Sequence, residues 1–245
     1  MKVLIVSDIH ANWPALQAVL AAEPDAGQIL CLGDLVNYGP QPAACVSWAI
    51  KTLKPGWLLQ GNHDRAVALD ADPHCSPAYM VAADATQQVS SRALTGLMKK
   101  YLAALEPAQS FRLDGAKCMA CHASPSDPLY HYLTEKSALT IWESELVRAG
   151  YPDYLFMGHT HLPMKTQFQR TLVVNPGSVG QPKHGDSRAA YALWEDGRVT
   201  LHRVAYDVEK TVRAYNGLGL EPHLVDALCA VLRTGGDLPE RARHH

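Results

Sequence analysis

The chain has 245 residues, 47% of them hydrophobic, and its 22 basic and 24 acidic residues leave a net charge of -2. That length and apolar content suit one large domain with a full core. The near balance of charge, without runs of basic residues, argues against a nucleic-acid-binding surface. The chain also lacks the roughly 18 consecutive apolar residues of a membrane span and the pattern of a signal peptide.

We therefore expect a soluble, cytoplasmic protein with a single domain over residues 1–245, in which C-terminal helices and a tail begin at about residue 207. Its six cysteines should be reduced thiols and not a disulfide framework. The chain holds twelve histidines, which is a high count. The terminal pair, His244 and His245, is either natural or the remains of a purification tag, so we base no site on it.

The first half of the chain repeats a pattern of strand, polar turn and helix. The predicted strands cover residues 2–6, 28–32 and 57–59, and the predicted helices lie between residues 12 and 24 and around 43–53. Asp8 and His10 follow the first strand, and Gly33-Asp34 follows the second. This repeat predicts parallel strands with right-handed crossovers, so the polar turns should share the rim at the carboxyl ends of the strands.

The tetrapeptide Gly61-Asn62-His63-Asp64 follows the third predicted strand. Asn62 offers an amide oxygen to a metal ion, His63 a ring nitrogen or a proton, and Asp64 a carboxylate that can hold an imidazole. A turn that leads into a helix cap is the alternative interpretation of the same residues. A chemical role is favoured because other segments end in the same way.

The second half combines helices with strands that pair as hairpins. Residues 66–105 have helical spacing, which we interpret as core packing. The further predicted strands cover 111–113, 117–121, 153–157, 164–168, 171–174, 189–195 and 199–205, with a helix near 136–149 and two more from Asp207. The turns Asp114-Gly115 and Asp196-Gly197 suit hairpins. Crossovers followed by hairpins indicate a mixed sheet or two packed sheets, with helices outside.

Potential metal ligands end five of the predicted strands. They are Asp8 and His10, Asp34, Asn62 and His63, His122, and His159 and His161. Asp8 and His10 should reach one ion because residues i and i+2 of a strand point to the same side, whereas His159 and His161 either share an ion or divide between two. Nitrogen with oxygen ligands favours manganese, iron, zinc or cobalt over calcium. The set would satisfy two ions about 3.5–4 Å apart, bridged by a carboxylate.

These segments resemble, in order and number, the blocks of the calcineurin-like metallophosphoesterase superfamily, and most closely its compact prokaryotic phosphodiesterase group. The matching blocks are Asp8-Ile9-His10, Gly33-Asp34, Gly61-Asn62-His63-Asp64, His122, Gly158-His159-Thr160-His161 and the segment 175–180. The resemblance implies an α/β (α+β) fold, a four-layer α/β/β/α sandwich of two mixed β-sheets flanked by helices. Many members have Asp where this chain has Asn37 or Tyr38, a departure that touches no ligand.

The resemblance also implies how the ligands divide. One ion would be held by Asp8, His10, Asp34 and His161, and the other by Asp34, Asn62, His122 and His159, with Asp34 as the bridge. Manganese is the expected ion, with iron, zinc, cobalt and nickel as alternatives. A metal-bridging hydroxide would attack phosphorus in line with the leaving oxygen. His63 would donate a proton or a hydrogen bond, and Asp64 would fix its tautomer.

The expected substrate is a small-molecule phosphoester, specifically a phosphodiester of nucleotide type, on the strength of the group resemblance. Phosphomonoesters, including phosphoproteins, are the alternative. Candidates for lining the substrate pocket are Tyr130, His131, Tyr132 and Arg188. A scaffold of the same fold without catalytic activity is a further alternative, although the general-acid position and all seven ligand positions are filled.

Two rival sites involve Cys118-Met119-Ala120-Cys121-His122. The segment matches the Cys-x-x-Cys-His of c-type haem attachment, and its two cysteines could belong to a zinc or redox site. Neither context fits, because no export signal precedes the segment, no second cysteine pair completes a zinc site, and the segment reads as a buried strand. Ser178 lacks the Gly-x-Ser-x-Gly context of an esterase nucleophile, since residue 176 is proline.

Overall fold

The computed structural model describes residues 1–239, so His244 and His245 lie outside the described residues. The strands are β1 (Lys2–Val6), β2 (Gln28–Cys31), β3 (Ala108–Leu113), β4 (Ala116–Cys121), β5 (Tyr154–Phe156), β6 (Met164–Phe168), β7 (Thr171–Asn175), β8 (Ala189–Glu195) and β9 (Arg198–Val204). The helices are α1 (Trp13–Ala22), α2 (Pro42–Thr52), α3 (Asn62–Leu69), α4 (Met80–Ala93), α5 (Gly96–Ala103), α6 (Leu139–Ala149), α7 (Val208–Arg213) and α8 (Pro222–Thr234), with a 3₁₀ turn at Pro77–Tyr79.

The first sheet has the strand order β2-β1-β8-β9. β1 pairs in parallel with β2 and antiparallel with β8, which continues into β9 through a hairpin. Asp196 and Gly197 both have positive φ in the turn of that hairpin, as the sequence pattern predicts. The sheet is therefore mixed, with β1 at its centre and the carboxyl end of β1 beside that of β2.

The second sheet has the strand order β3-β4-β5-β7-β6. Its middle pairs, β4 with β5 and β5 with β7, are parallel, and its outer pairs, β3 with β4 and β6 with β7, are antiparallel. The ends of β4 and β5 therefore lie at the same edge, which is where His122 and the segment 158–161 leave the sheet.

The two sheets pack face to face, and helices cover their outer faces. Alternate residues of β1 show the arrangement, since Val3 and Ile5 face the second sheet while Leu4 and Val6 pack with α1 and α2. Phe156 and Trp194 fill the space between the sheets. The second sheet buries its other face under α6, and α7 and α8 form a further apolar cluster with α4. The predicted four-layer fold is confirmed.

Three sequence predictions need correction. The segment 57–59 is not a strand: within the described residues it forms one bridge, Cys31 with Leu58, and Gln60 then turns away to donate its N–H to the Glu106 carbonyl. Residues 66–105 are not continuously helical, because an irregular segment separates α3 from the 3₁₀ turn that precedes α4. The helix predicted near 136–149 begins at Leu139.

Among the helices within residues 1–239, none has the length and apolar run that crossing a bilayer requires. The prediction of a single domain over residues 1–245 stays a prediction.

Candidate metal centre

The loops after β1 and β2 place the first candidate ligands. Asp8, His10 and Asp34 all have positive φ, at 52°, 44° and 57°. The two loops are joined through the backbone: Asp8 donates to the Gly33 carbonyl at 3.0 Å and His10 to the Asp34 carbonyl at 2.9 Å. Asp8 and His10 thus share a side because of this tight turn, and the extended spacing expected from the sequence is wrong.

The start of α3 is locked to the loop after β2. The carboxylate of Asp64 accepts the backbone N–H groups of Asp34 at 2.8 Å, Leu35 at 2.9 Å and Gly61 at 3.1 Å. The backbone N–H of His63 in turn donates to Asp34 Oδ1 at 2.9 Å. Asp64 therefore fixes the backbone around Asp34, and the helix-cap interpretation of this residue is the one the structure supports.

The His63 ring is oriented by Asn37 and not by Asp64, so the predicted contact between Asp64 and this ring is wrong. Nδ2 of Asn37 lies 3.0 Å from His63 Nδ1, and the three backbone groups already occupy the Asp64 carboxylate. With the amide donating to Nδ1, the proton of the neutral ring is on Nε2. The edges of the Tyr38 and His10 rings, with centroids 4.8 and 5.2 Å away, pack against the same imidazole.

The ends of β4 and β5 place the remaining candidates. Gly158 donates its N–H to the His122 carbonyl at 2.8 Å, which joins the two strand ends. His159 donates its backbone N–H to Asp8 Oδ2 at 3.1 Å, linking this edge to the first sheet. His159 and His161 also have positive φ, at 65° and 60°. These contacts bring the edges of the two sheets together around one point.

A continuous chain of short contacts connects all seven predicted ligands, each of which is at least 97% buried. Its links are His159 Nδ1 to Asn62 Oδ1 at 3.1 Å, Asn62 Oδ1 to His122 Nε2 at 3.0 Å, His122 Nε2 to Asp34 Oδ2 at 3.4 Å, Asp34 Oδ2 to His10 Nε2 at 3.7 Å, His10 Nε2 to His161 Nε2 at 3.0 Å, and His161 Nε2 to Asp8 Oδ1 at 3.5 Å. Within residues 1–239, two triads have donor atoms close enough to hold an ion: Asp8, His10 and His161, and Asp8, Asp34 and His122.

Three of the histidines present their Nε2 atoms to this point in a fixed orientation. The other ring nitrogen, Nδ1, donates to a backbone carbonyl: that of Val36 for His10 at 2.9 Å, Leu32 for His122 at 2.7 Å and Gln181 for His161 at 2.6 Å. Histidine ligands in metal sites are oriented in this way, because a proton on Nδ1 leaves the Nε2 lone pair for the ion.

Burial and mutual charge set the protonation of these groups. Burial lowers the pKa of His10 to about 3 and that of His161 well below its usual value. Burial also works against a charged His122, but the neighbouring Asp34 raises its pKa to about 9. Burial raises the pKa of Asp8 to about 7. Two histidines are therefore neutral and ready to bind an ion at neutral pH, whereas His122 forms a charged pair with Asp34.

The donor set fits divalent transition-metal ions. Asp8 Oδ1 and His159 Nε2 are buried and without a hydrogen-bond partner among the described residues, which is costly unless another group satisfies them. Imidazole nitrogens with carboxylate and amide oxygens match the preferences of manganese, iron, cobalt and zinc. The assignment of individual ligands stays a prediction.

One of the predicted pocket residues, Tyr132, packs against a candidate ligand, and a second, Tyr130, packs on a neighbouring segment. The Tyr132 ring, 42% exposed, lies over His159 with centroids 4.0 Å apart. Tyr130 packs edge-on against His74, at 4.8 Å. Tyr132 therefore lies on the His159 side of the centre, whereas Tyr130 packs on the segment whose Pro73 carbonyl accepts from Asn62 Nδ2 at 2.7 Å.

The other two predicted pocket residues are engaged elsewhere. His131 Nδ1 lies 3.4 Å from the buried carboxylate of Glu145, which ties its loop to α6. Arg188 binds Asp186 through two of its nitrogens, at 2.6 to 3.1 Å, on the face lined by His202 of β9. Neither side chain is available to a ligand at the metal centre in this arrangement.

Strand geometry excludes the rival site at Cys118 and Cys121. The two residues lie three apart on β4 and face opposite sides of the sheet. Cys118 packs between the sheets and Cys121 packs under α6. One haem or one zinc ion cannot reach both sulfur atoms. All six cysteines are unpaired and buried, as expected for reduced thiols that pack as small apolar side chains.

Sequence reasoning missed three side chains near the centre. The sequence pattern marks Asn37 and Tyr38 only as departures from a family pattern, and no motif points to Lys183. Asn37 contacts His63, Tyr38 contacts His10 and His63, and Lys183 lies beyond the Tyr79 ring. The contact of Asn37 joins residues 26 positions apart, and a lone lysine carries no sequence signature, so only the tertiary structure reveals them.

Comparison with known sequences supports this chemistry. The model of the calcineurin-like phosphoesterase superfamily domain matches residues 1–196. An uncharacterized protein of Methanocaldococcus jannaschii, MJ0912, is 30% identical over 229 residues, covering 85% of this chain and 89% of its own length. Phosphodiesterase YfcE of Escherichia coli K12 is 26% identical over 198 residues, covering 80% of this chain and 88% of its own.

Solved structures agree. A metallophosphoesterase from Sphaerobacter thermophilus is 31% identical and superposes with a TM-score of 0.78, covering 96% of this chain and 99% of its own. The hypothetical protein PH1004 from Pyrococcus horikoshii OT3, 21% identical with a TM-score of 0.81 over the same shares, has the same fold. Family match, fold and clustered metal-binding side chains together lead to one conclusion: this chain belongs to the calcineurin-like phosphoesterase superfamily and is a phosphoric ester hydrolase.

Proposed function

We propose that the protein is a dinuclear-metal-dependent phosphodiesterase acting on small phosphodiesters of nucleotide type, with manganese as its working ion. The observation that carries this proposal is the continuous cluster of seven buried oxygen and nitrogen donors at the meeting edges of the two sheets. Seven donors exceed what one transition-metal ion takes from a protein. The name of the E. coli relative, phosphodiesterase YfcE, supports the choice of a diester.

The geometry supports a bridging role for Asp34. Its Oδ2 lies 3.4 Å from His122 Nε2 and 3.7 Å from His10 Nε2, between the two histidines assigned to different ions. Asp8 belongs to both close triads, but it also accepts the backbone N–H of His159 through Oδ2. We therefore assign Asp8, His10, Asp34 and His161 to one ion and Asp34, Asn62, His122 and His159 to the other.

The two ions, when bound, would supply Lewis acidity and a water nucleophile at neutral pH. The protein's own contribution is orientation and hydrogen bonding. His63 is not in the ligand set, and its Nδ1 accepts from Asn37, so Nε2–H is its donor. Burial also lowers the pKa of His63 to about 4. We therefore assign it the hydrogen-bonding role, at a phosphoryl or leaving oxygen, in preference to the role of a cationic acid.

The test compares bis-p-nitrophenyl phosphate with p-nitrophenyl phosphate, using metal-stripped protein to which manganese is returned. Manganese should restore diester cleavage. His63→Ala should lose about 10²- to 10³-fold in kcat, as expected for loss of one hydrogen-bond donor, while binding the same amount of manganese, because the ring is not a ligand. His202→Ala, on β9, is the matched control and should keep full activity.

Two results would contradict the proposal. Cleavage that survives complete metal removal would exclude a metal-dependent mechanism. Protein that binds two ions per chain yet cleaves neither ester with any transition metal would favour a non-catalytic scaffold.

A further inference from the structure

An ammonium group without an ion-pair partner lies at the edge of the metal centre. Nζ of Lys183 lies 3.8 Å from the centroid of the Tyr79 ring, a distance typical of a cation–π contact. Within residues 1–239, no carboxylate forms a salt bridge with this ammonium. The cation–π contact of Arg170 lies on Tyr151, away from the candidate ligands, so Lys183 needs an explanation of its own.

The backbone that precedes Lys183 is hydrogen-bonded to two of the candidate ligands. Gly180 donates its N–H to the Asp8 carbonyl at 3.0 Å, and the Gln181 carbonyl accepts from His161 Nδ1 at 2.6 Å. Lys183 follows two residues later. The Tyr79 ring beneath its ammonium packs edge-on against Tyr38, with centroids 5.9 Å apart.

Tyr38 completes the connection to the reactive side of the centre. Its ring edge contacts both His10 and His63, each with centroids 4.8 Å apart. The Tyr79 and Tyr38 rings therefore connect Lys183 to His63, the residue assigned to hydrogen-bond the substrate.

The positive charge of Lys183 acts electrostatically on the candidate ligands. Burial lowers its pKa to about 8, although the carboxylates of Asp8, Asp237 and Asp34 act to raise it, so the side chain is still mainly a cation at pH 7. The same charge helps to lower the pKa of His10 and His63. A cation in this position repels divalent metal ions and disfavours their binding. Its presence is therefore better explained by an anion that arrives with the substrate.

We propose that Lys183 binds a phosphoryl oxygen of the substrate, and that the Tyr79 ring positions its ammonium for this contact. This inference deepens the proposed function and rests on it. The oxygen belongs either to the phosphoryl group being cleaved or to a second phosphate attached to it. Both sources present the same chemistry to the ammonium, and the experiment below separates them.

The experiment uses isothermal titration calorimetry on manganese-loaded protein. Inorganic phosphate represents the group at the metals, and imidodiphosphate, which resists hydrolysis, represents two linked phosphates. We expect Lys183→Met to weaken binding of one or both anions about 10- to 100-fold, and Lys183→Arg to restore most of it. Lys51→Met, at the exposed end of α2, removes the same charge far from the site and should change neither.

Manganese binding provides the readout that separates a binding role from a structural one. Removing a nearby positive charge should leave manganese affinity unchanged or make it tighter, whereas a damaged site would bind both manganese and phosphate more weakly. Equal weakening of the two anions would place Lys183 at the cleaved phosphoryl group. Weakening of imidodiphosphate alone would place it at a second phosphate.

The proposal is overturned if Lys183→Met binds both anions like the unchanged protein, if it loses manganese together with phosphate, or if the unchanged protein binds neither anion. None of these results depends on hydrolysis. A protein that cleaves no ester but binds phosphate through Lys183 would refute the proposed function, and Lys183 would then hold a phosphoryl group that is not hydrolysed.

Discussion

At the scale of single residues, the centre is made from strained backbone. Five of the seven candidate ligands have positive φ, between 44° and 65°: Asp8, His10, Asp34, His159 and His161. Residues other than glycine rarely adopt this conformation, and each costs on the order of 1–3 kcal/mol. The backbone hydrogen bonds between the strand ends hold it in place. The ligand positions are therefore a product of tertiary contacts, not of strand periodicity.

Asn37 is the residue whose role differs most from its first interpretation. We expect Asn37→Leu to lower kcat about 10- to 100-fold, because the amide that orients His63 through Nδ1 is lost. Manganese content should not change, since neither residue belongs to the ligand set. Steady-state kinetics with metal analysis checks both points.

A double variant shows whether Asn37 acts through His63. Adding Asn37→Leu to His63→Ala should cause little further loss, because the group that the amide orients is already absent. If the two losses multiplied instead, Asn37 would act through another group.

Protonation of His122 gives a pH dependence with a definite sign. Its pKa of about 9, set by Asp34 against the effect of burial, means that the ring carries a proton at pH 7 in the metal-free protein. The ion must displace that proton before Nε2 can coordinate. We expect manganese affinity to fall about tenfold for each pH unit below this pKa, and binding at pH 7 to release a proton.

Calorimetry in two buffers of different ionisation enthalpy measures this proton release. His122→Asn removes the ring. Manganese binding to this variant should therefore release fewer protons than binding to the unchanged protein, and the difference is the proton that His122 contributed. An affinity that stays constant between pH 6 and pH 8 would show that His122 is neutral before the ion binds.

At the scale of elements, the metal centre depends on the close approach of the start of α3 to the loop after β2. A Cβ added to Gly61 would lie 2.0 Å from Asp34 Oδ1 and 2.4 Å from the backbone nitrogen of Asp34. Glycine is required here by this close approach. The same close approach lets the backbone N–H of His63, in the first turn of α3, donate to Asp34 Oδ1 at 2.9 Å.

We expect Gly61→Ala to weaken manganese binding at least about tenfold, because Asp34 must move to make room. Gly96→Ala is the matched control: a Cβ there meets nothing within 4 Å, and alanine favours a helix by up to about 1 kcal/mol. Metal titration and thermal unfolding of both variants give the comparison. Equal manganese affinity in the two would mean that the contact at Gly61 is readily relieved.

At the scale of the whole molecule, the packing of two sheets creates the centre. β1 and β2 supply Asp8, His10 and Asp34, whereas β4 and β5 supply His122 and the histidines of segment 158–161. Neither sheet holds a full ligand set. The apolar layer between the sheets, which includes Phe156 and Trp194, therefore positions the two halves of the centre as well as stabilising the fold.

We expect Phe156→Ala to lower the free energy of unfolding of the metal-free protein by about 3–5 kcal/mol, because the buried ring fills space between the sheets. Leu97→Ala is the control, since that side chain is 79% exposed and should change stability by less than about 0.5 kcal/mol. Urea unfolding measures both. Similar values for the two variants would show that the layer between the sheets is loosely packed.

Apolar periodicity predicts most strand and helix positions, and short motifs at the strand ends predict the side chains that cluster. The family and its four-layer fold follow from the resemblance of those motifs to the calcineurin-like blocks, because each motif lies within one short segment. The predictions from sequence are wrong where a residue's conformation depends on distant partners. Segment 57–59 leaves the sheet after one bridge, and Asp64 accepts from backbone groups near Asp34 instead of contacting the His63 ring.

The packing of the two sheets sets which residues contact each other across them. The tertiary structure assigned Asn37 to His63, placed Lys183 on the Tyr79 ring, and separated Arg188 from the centre through its pairing with Asp186. Side-chain partners depend on contacts between segments far apart in the chain, such as His10 and His161, which are 151 residues apart. Local pattern and propensity carry no information about such contacts.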